Sequence, residues 1–441
     1  MEYKYDKFSE KDAPLQINDL LKTDFDISPS LDLQYQIQES CSQYVNSFTC
    51  GNYIESNTII MHIYTLLGKS KKQINFSSMV EVMAQTHFFD ALLDIIQNRH
   101  NDFLANVIEL IALGTYLSNE FAKAISQSNI LLHFLSIFYE SDGFYLNKHQ
   151  EYNLFISIRN LIDFWPNKNY NFFFNEFPFM DILIKMKEID HEITGYKVFS
   201  GFLYSFISSG QELDLYYPWF ISISESILTR SSFRYVLCYI DHMIVSNPGI
   251  IQPIFTSFLD NIAEIYMNYN EDCYNDILYY YMFLTDLIHY FDYNSDDLEI
   301  KILKIKNAIP MDEMNNIHMV LKSDDNKLNL IGLKFVSVII QKDLFNQLFE
   351  TNQAEVVDNI AALLEDDSNF KVIVKAFEVL LIILKFNYQK YSSLCYEIPA
   401  MIYSSLLQSG IPQYQLLALE FMRFVLQRKH GFQSELESST A

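Results

Sequence analysis

Eleven glycines in 441 residues are few for a chain built on tight β-turns or phosphate-cradling loops, which depend on the residue that tolerates positive φ. Helices tolerate that scarcity. Cysteine is sparse too: Cys41, Cys50, Cys238, Cys273 and Cys395 are odd in number and mostly far apart. No CxxC or paired Cys/His spacing suggests zinc and no disulfide framework emerges, so a reducing compartment is the simpler reading. Cations are outnumbered, 31 Lys and Arg against 55 Asp and Glu, for a net charge of −24. That balance argues against nucleic-acid binding, which needs clustered cations on phosphate, and against docking on an anionic membrane. No apolar run reaches the roughly 18 residues of a membrane span. The opening MEYKYDKFSEKDAP lacks the apolar stretch of a secretion signal. The expected setting is the cytoplasm, with the nucleus as the alternative.

What the chain does have is apolar material: half its residues are hydrophobic and 15% are aromatic, which suffices for a folded core. It is arranged as a repeat. Nine helix-like segments end on Leu66, Leu117, Ile162, Ile207, Ile244, Ile288, Ile339, Leu384 and Val425. Successive anchors are separated by 51, 45, 45, 37, 44, 51, 45 and 41 residues. A mean near 45 matches a solenoid unit of two or three helices. Within the segments, Leu110, Leu113 and Leu117, or Phe155, Ile158 and Ile162, recur at helical offsets. No sustained alternation of period two competes, so strands fit poorly.

Between the anchors, Pro178, Pro218, Pro253, Pro310 and Pro399 stand near the head of apolar stretches. Proline is tolerated there because a first-turn amide has no intrahelical acceptor. In EIPAMIYSSLL (Glu397 to Leu407) and SIRNLIDF (Ser157 to Phe164) the chain resembles the armadillo repeat family, whose second helix runs roughly I-P-x-L-v-x-L-L and third A-x-x-A-L-x-N-L. The related two-helix HEAT repeats remain an alternative. The resemblance covers roughly residues 54–430 and implies an all-α, right-handed α-solenoid of about eight or nine units. Flanking this repeat region are an extension over 1–30, a capping helix within 31–53 and an acidic tail over 431–441. Acidic stretches between units, such as Asp324-Asp325, read as solvated turns.

The chemistry-bearing motifs are few. Gly68-Lys69-Ser70 lacks the glycine a Walker motif needs at position 63, which is Ile. GxSxG, HExxH, GxGxxG and EF-hand patterns do not occur. Asp241-His242 is a suggestive pair, but adjacent helical residues do not face each other. Cys41 and Cys50 read as ordinary buried thiols. No catalytic residue, metal site or cofactor is expected.

Binding is the better expectation. In armadillo proteins the residue two before the anchor is often an asparagine that holds an extended peptide in the concave groove. Here those positions are Tyr64, Thr115, Asn160, Ser205, His242, Asp286, Ser337, Ile382 and Arg423. The resemblance thus implies a partner-binding ladder of Thr115, Asn160, Ser205, His242, Asp286, Ser337 and Arg423. An ordinary polar phase of an amphipathic helix is the plainer alternative. Only Asn160 reproduces the family asparagine. The tryptophan that import adaptors place four residues earlier is absent: Ile60, Ile111, Ile156, Gly201, Cys238, Met282, Leu333, Glu378 and Leu419 stand there. A nuclear-transport adaptor is therefore the least favoured function. The expected function is a non-enzymatic scaffold or adaptor whose partner is a protein or peptide, favourably basic or amphipathic. The alternative is a regulatory or structural subunit that docks by its convex face or its ends.

Overall fold

Helices account for all the regular structure of the computed structural model, which describes residues 30–70, 76–99, 101–126, 130–140, 146–164, 179–209, 216–267, 274–291, 298–310, 316–349, 352–364, 369–398 and 400–439. No strand occurs among the described residues, so the chain is all-α. Its contacts divide it into two compact units, Met1–Tyr216 with Ile227–Tyr239, and Tyr217–Ser226 with Ile240–Ala441.

The first unit holds α1 (Ser30–Thr49), α2 (Tyr53–Ser70), α3 (Phe76–Gln85), α4 (Phe88–Gln97), α5 (Asn101–Leu117), α6 (Asn119–Ser126), α7 (Ile130–Tyr139), α8 (Lys148–Ile162), α9 (Phe179–Thr194) and α10 (Lys197–Ser209). The boundary between units falls within α11 (Tyr217–Ile227) and α12 (Phe233–Ser246). The second unit continues with α13 (Leu259–Met267), α14 (Tyr274–Tyr290), α15 (Leu298–Ala308), α16 (Ile317–Leu321), α17 (Asn326–Gln341), α18 (Phe345–Leu348) and α19 (Gln353–Ala362). It ends with α20 (Phe370–Phe386), α21 (Tyr388–Tyr391), α22 (Leu394–Glu397), α23 (Ala400–Gln408) and α24 (Pro412–Ser439).

Helix starts follow local chemistry. Asn147 and Gln150 form a reciprocal capping box at α8, which satisfies two amides that lack intrahelical acceptors. Asp325 accepts from the amides of Lys327 and Leu328, so the Asp324-Asp325 stretch read as a solvated turn supplies the N-cap of α17. Asn369 does the same for α20. Pro218 sits in the first turn of α11, as its missing amide allows. Pro310 lies two residues beyond the end of α15, and Asn316 caps the next described helix. Proline after a helix end is favoured for the same reason that it cannot continue one. Pro253 closes a short turn, Ile251–Pro253, before a π-helical turn over Ile254–Phe258 leads into α13. Pro178 and Pro399 lie outside the described residues.

The anchor-bearing helices form the core rows. In the first unit α2 packs on α5, α5 on α8 and α8 on α10. In the second, α14 packs on α17, α17 on α20 and α20 on α24. Seven anchors are buried, while Leu117 and Val425 are half-buried. Aromatic rings bridge neighbours in these rows: Phe155–Phe202 at 6.1 Å, Tyr281–Phe335 at 5.1 Å and Phe377–Phe421 at 5.1 Å between centroids. Such tilted and edge-to-face pairs add about 0.5–1.5 kcal/mol each beyond area burial. A second layer packs in parallel order, α3 on α6, α4 on α7 and α7 on α9, then α13 on α15 and α16 on α19. Close approach in the first unit depends on Gly114 of α5. A Cβ there would lie 2.5 Å from the buried Phe121 ring of α6.

Candidate interaction face

The ladder positions occupy the sides of the anchor helices. Tyr64, Thr115, Asn160, Ser205 and Ser337 are buried, at most 5% exposed. Those five are therefore covered and do not face a groove open to a partner. His242, Asp286 and Ile382 are half-buried, and Arg423 is exposed.

The buried members are polar and still satisfied. Thr115 Oγ1 donates to the Ile111 carbonyl one turn earlier, 2.8 Å. Asn160 Nδ2 donates to Thr115 Oγ1 at 3.3 Å, and Arg159 Nη1 donates to Asn160 Oδ1 at 2.9 Å. Thr115 and Asn160 are 45 residues apart and share one register, so the bond joins equivalent positions of successive anchor helices. The Arg159 guanidinium is itself buried against Gly201 of α10, where a Cβ would touch it at 3.5 Å. Buried polar groups are retained at low cost only when bonded in this way. The row in the first unit thus holds helices together.

Similar bonds tie other anchor helices. Asn106 donates to Asn57, linking α5 to α2 across 49 residues. Lys334 on α17 reaches Asp286 on α14 at 3.1 Å across 48 residues. Lys385 on α20 donates to Glu420 on α24 at 2.5 Å across 35 residues. The ladder carboxylate Asp286 is therefore already paired. His242 is held below the ordinary histidine value by burial, so its ring favours the neutral form. Arg423 has no hydrogen-bond or ion-pair partner among the described residues.

Two polar clusters in the second unit escaped the sequence reading. Asn359 Nδ2 faces His318 Nδ1 at 2.9 Å, and Glu355 lies 3.7 Å from the same nitrogen. The donor and acceptor roles in this pair depend on the His318 tautomer. Burial lowers the His318 value, the Glu355 charge opposes that shift, and the Lys322 charge adds to it. In the other cluster Gln353 Oε1 accepts from Lys390 Nζ and from the Tyr391 hydroxyl, while Gln353 Nε2 donates to Asn346 at 3.1 Å. The clusters join residues 41, 37 and 38 positions apart, pairings that no local motif records.

Gly68 and Lys69 lie within α2, and the equivalent of the missing Walker glycine, Ile63, is fully buried. Cys41 is buried, but Cys50 is exposed at the turn after α1, contrary to its reading as a buried thiol. Among the described residues no group of three His, Cys, Asp or Glu side chains is placed to hold a metal ion. No described helix is long and apolar enough to cross a membrane.

No family model matches the chain, and no curated protein matches it. Among solved structures it is similar to the crystal structure of an engineered protein from the Northeast Structural Genomics Consortium, with a TM-score of 0.58. The likeness covers 93% of this chain and 98% of that one at 10% identity. Identity so low speaks to fold alone, and the class that fold and site define is an all-α protein with many helices.

Proposed function

We propose that the chain is an armadillo-like α-solenoid acting as a non-enzymatic platform for protein or peptide partners. The observation that carries the reading is the nearest-neighbour order of anchor helices within each unit, α2–α5–α8–α10 in the first and α14–α17–α20–α24 in the second. Their side-chain bonds at 35 to 49 residues repeat that order. Stacked repeats depend on such contacts because no unit buries its apolar face alone. The triplets α3–α5, α6–α8 and α18–α20 favour the three-helix armadillo unit. The pairs α9–α10 and α11–α12 are closer to HEAT units.

The accessible ladder residues His242, Asp286 and Arg423 are the ones that contact a partner in this reading. Thr115, Asn160, Ser205 and Ser337 are buried and set the spacing of their own helices. The net charge of −24 favours a basic or amphipathic partner segment, chiefly by speeding encounter. The test is fluorescence anisotropy of labelled basic, amphipathic and acidic helical peptides, with wild type and a His242→Ala/Asp286→Ala variant. The expected result is salt-sensitive binding of basic or amphipathic peptides that the variant weakens. Binding indifferent to both peptide charge and the variant contradicts the reading.

A second reading, a subunit that docks by an end, is favoured by one observation. Leu416, Leu419, Met422 and Leu426 of α24 are exposed together.

A further inference from the structure

Helix α24 has two apolar faces. One is turned inward: Ala418 and Phe421 are buried, Tyr414, Leu417 and Val425 are half-buried, and Phe421 meets Phe377 of α20. The other carries Leu416, Leu419, Met422 and Leu426, which are 66%, 54%, 38% and 55% exposed. Their offsets of three, three and four residues place them on one stripe. Among the described residues α20 and α23 cover the inward face of α24, and the second stripe stays exposed.

The register shows what kind of surface this is. Leu419 stands six residues before the anchor Val425. The same position in the interior helices is Ile111 in α5, Ile156 in α8 and Leu333 in α17, all fully buried. Arg423 corresponds to Thr115, Asn160 and Ser337, which are buried as well. The interior helices α5, α8 and α17 each have an anchor helix on both sides, whereas among the described residues α24 packs on α20 alone in its row. The bare stripe is therefore a helix-stacking face without its helix.

We propose that a second copy of this chain covers it, through antiparallel pairing of α24 with α24 of the other protomer. Positions 416, 419, 423 and 426 are spaced three, four and three, a pattern that reads the same in both directions. A two-fold axis near residue 421 then sets Leu416 opposite Leu426 and Leu419 opposite the stem of Arg423 in the other protomer. Glu420 and Arg423 lie on the same flank of the stripe, and in an antiparallel pair like flanks meet. The Glu420 of one copy comes within about one residue rise, roughly 1.5 Å along the axis, of the other copy's Arg423. Two reciprocal ion pairs result. Arg423 has no competing partner among the described residues, and Glu420 is half exposed beside Lys385. This pairing goes beyond the peptide-binding reading above and shares Arg423 with it, whereas the variant that tests that reading changes only His242 and Asp286.

The test is sedimentation equilibrium of the full chain, loaded from roughly 1 to 100 µM, the range suited to a short seam. Wild type is expected to shift from monomer to dimer across that range. Leu419→Glu/Leu426→Glu is expected to remain monomeric throughout, with an unchanged circular dichroism spectrum. Arg423→Glu, at an exposed position that leaves folding intact, is expected to weaken the dimer at least tenfold, and adding Glu420→Arg to restore it. A wild-type chain that stays monomeric at the highest load overturns the proposal and assigns the stripe to a different protein. A dimer indifferent to the Leu419/Leu426 pair, or a charge exchange that fails to restore pairing, also overturns it.

Discussion

Helices α8 and α24 carry equivalent positions with opposite exposure. In α8, the apolar Ile156 and the polar Asn160 are both covered. In α24, the apolar Leu419 and the charged Arg423 are both open. Side-chain polarity therefore does not decide which positions are inside; the presence of a following helix does. That is what nearest-neighbour packing produces, since each helix face is finished by the element stacked on it. Asn160 is tolerated inside because Arg159 and Thr115 complete its hydrogen bonds. Leu419 is left outside because no described helix follows in its row.

The sharpest way to break the comparison is to truncate matched positions. Ile156→Ala and Leu333→Ala each delete fully buried methyl groups and are expected to cost about 2–5 kcal/mol in urea unfolding followed by circular dichroism. Leu419→Ala, measured at dilution, is expected to cost no more than about 0.5 kcal/mol. Comparable costs at all three would erase the distinction between inner and terminal faces.

Gly114→Ala is expected to cost about 1–3 kcal/mol by overpacking against Phe121. Phe121→Leu in the same chain relieves part of that clash, so the two changes are expected to couple in a double-mutant cycle. Independent, additive effects would disprove the close approach of α5 and α6. Asn160→Ala is expected to cost about 1–3 kcal/mol by stripping a buried Arg159 donor of its acceptor. Its counterpart Arg423→Ala is expected to be nearly silent in the monomer.

The His318 cluster predicts a smaller, pH-dependent difference. Its folded value lies below the ordinary one, so the unfolded chain binds the proton more readily. Stability is thus fully present above roughly pH 6.5 and is lost as the pH falls below that value. A melting midpoint that declines from pH 7.5 to 5.5 in wild type, and less so in His318→Gln, is the expected outcome. Equal decline in both would remove His318 from the account. Asp286→Asn is expected to cost about 0.2–1 kcal/mol, because its pair with Lys334 is only partly buried.

The all-helical core was legible because anchors such as Ile162, Ile288 and Ile339 are apolar at helical spacing and fall inside. The polar ladder was not. Thr115 looks like a surface residue in sequence, yet its hydroxyl bonds to its own helix and then accepts from a residue 45 positions away. No local pattern contains that second partner. The open stripe of α24 carried a readable signal: Leu417, Phe421 and Val425 define one face, and Leu416, Leu419 and Leu426 define another. Two apolar faces on one helix call for two neighbours.

The most direct measurement is hydroxyl-radical footprinting of the unmodified chain at submicromolar concentration, with residue-level mass spectrometry. Comparing leucines removes differences in intrinsic reactivity. Oxidation of Leu416, Leu419 and Leu426 with protection of Leu333 and Leu380 is the predicted result. Equal labelling of the two sets would show that the face covered within the rows is no different from the one left bare on α24.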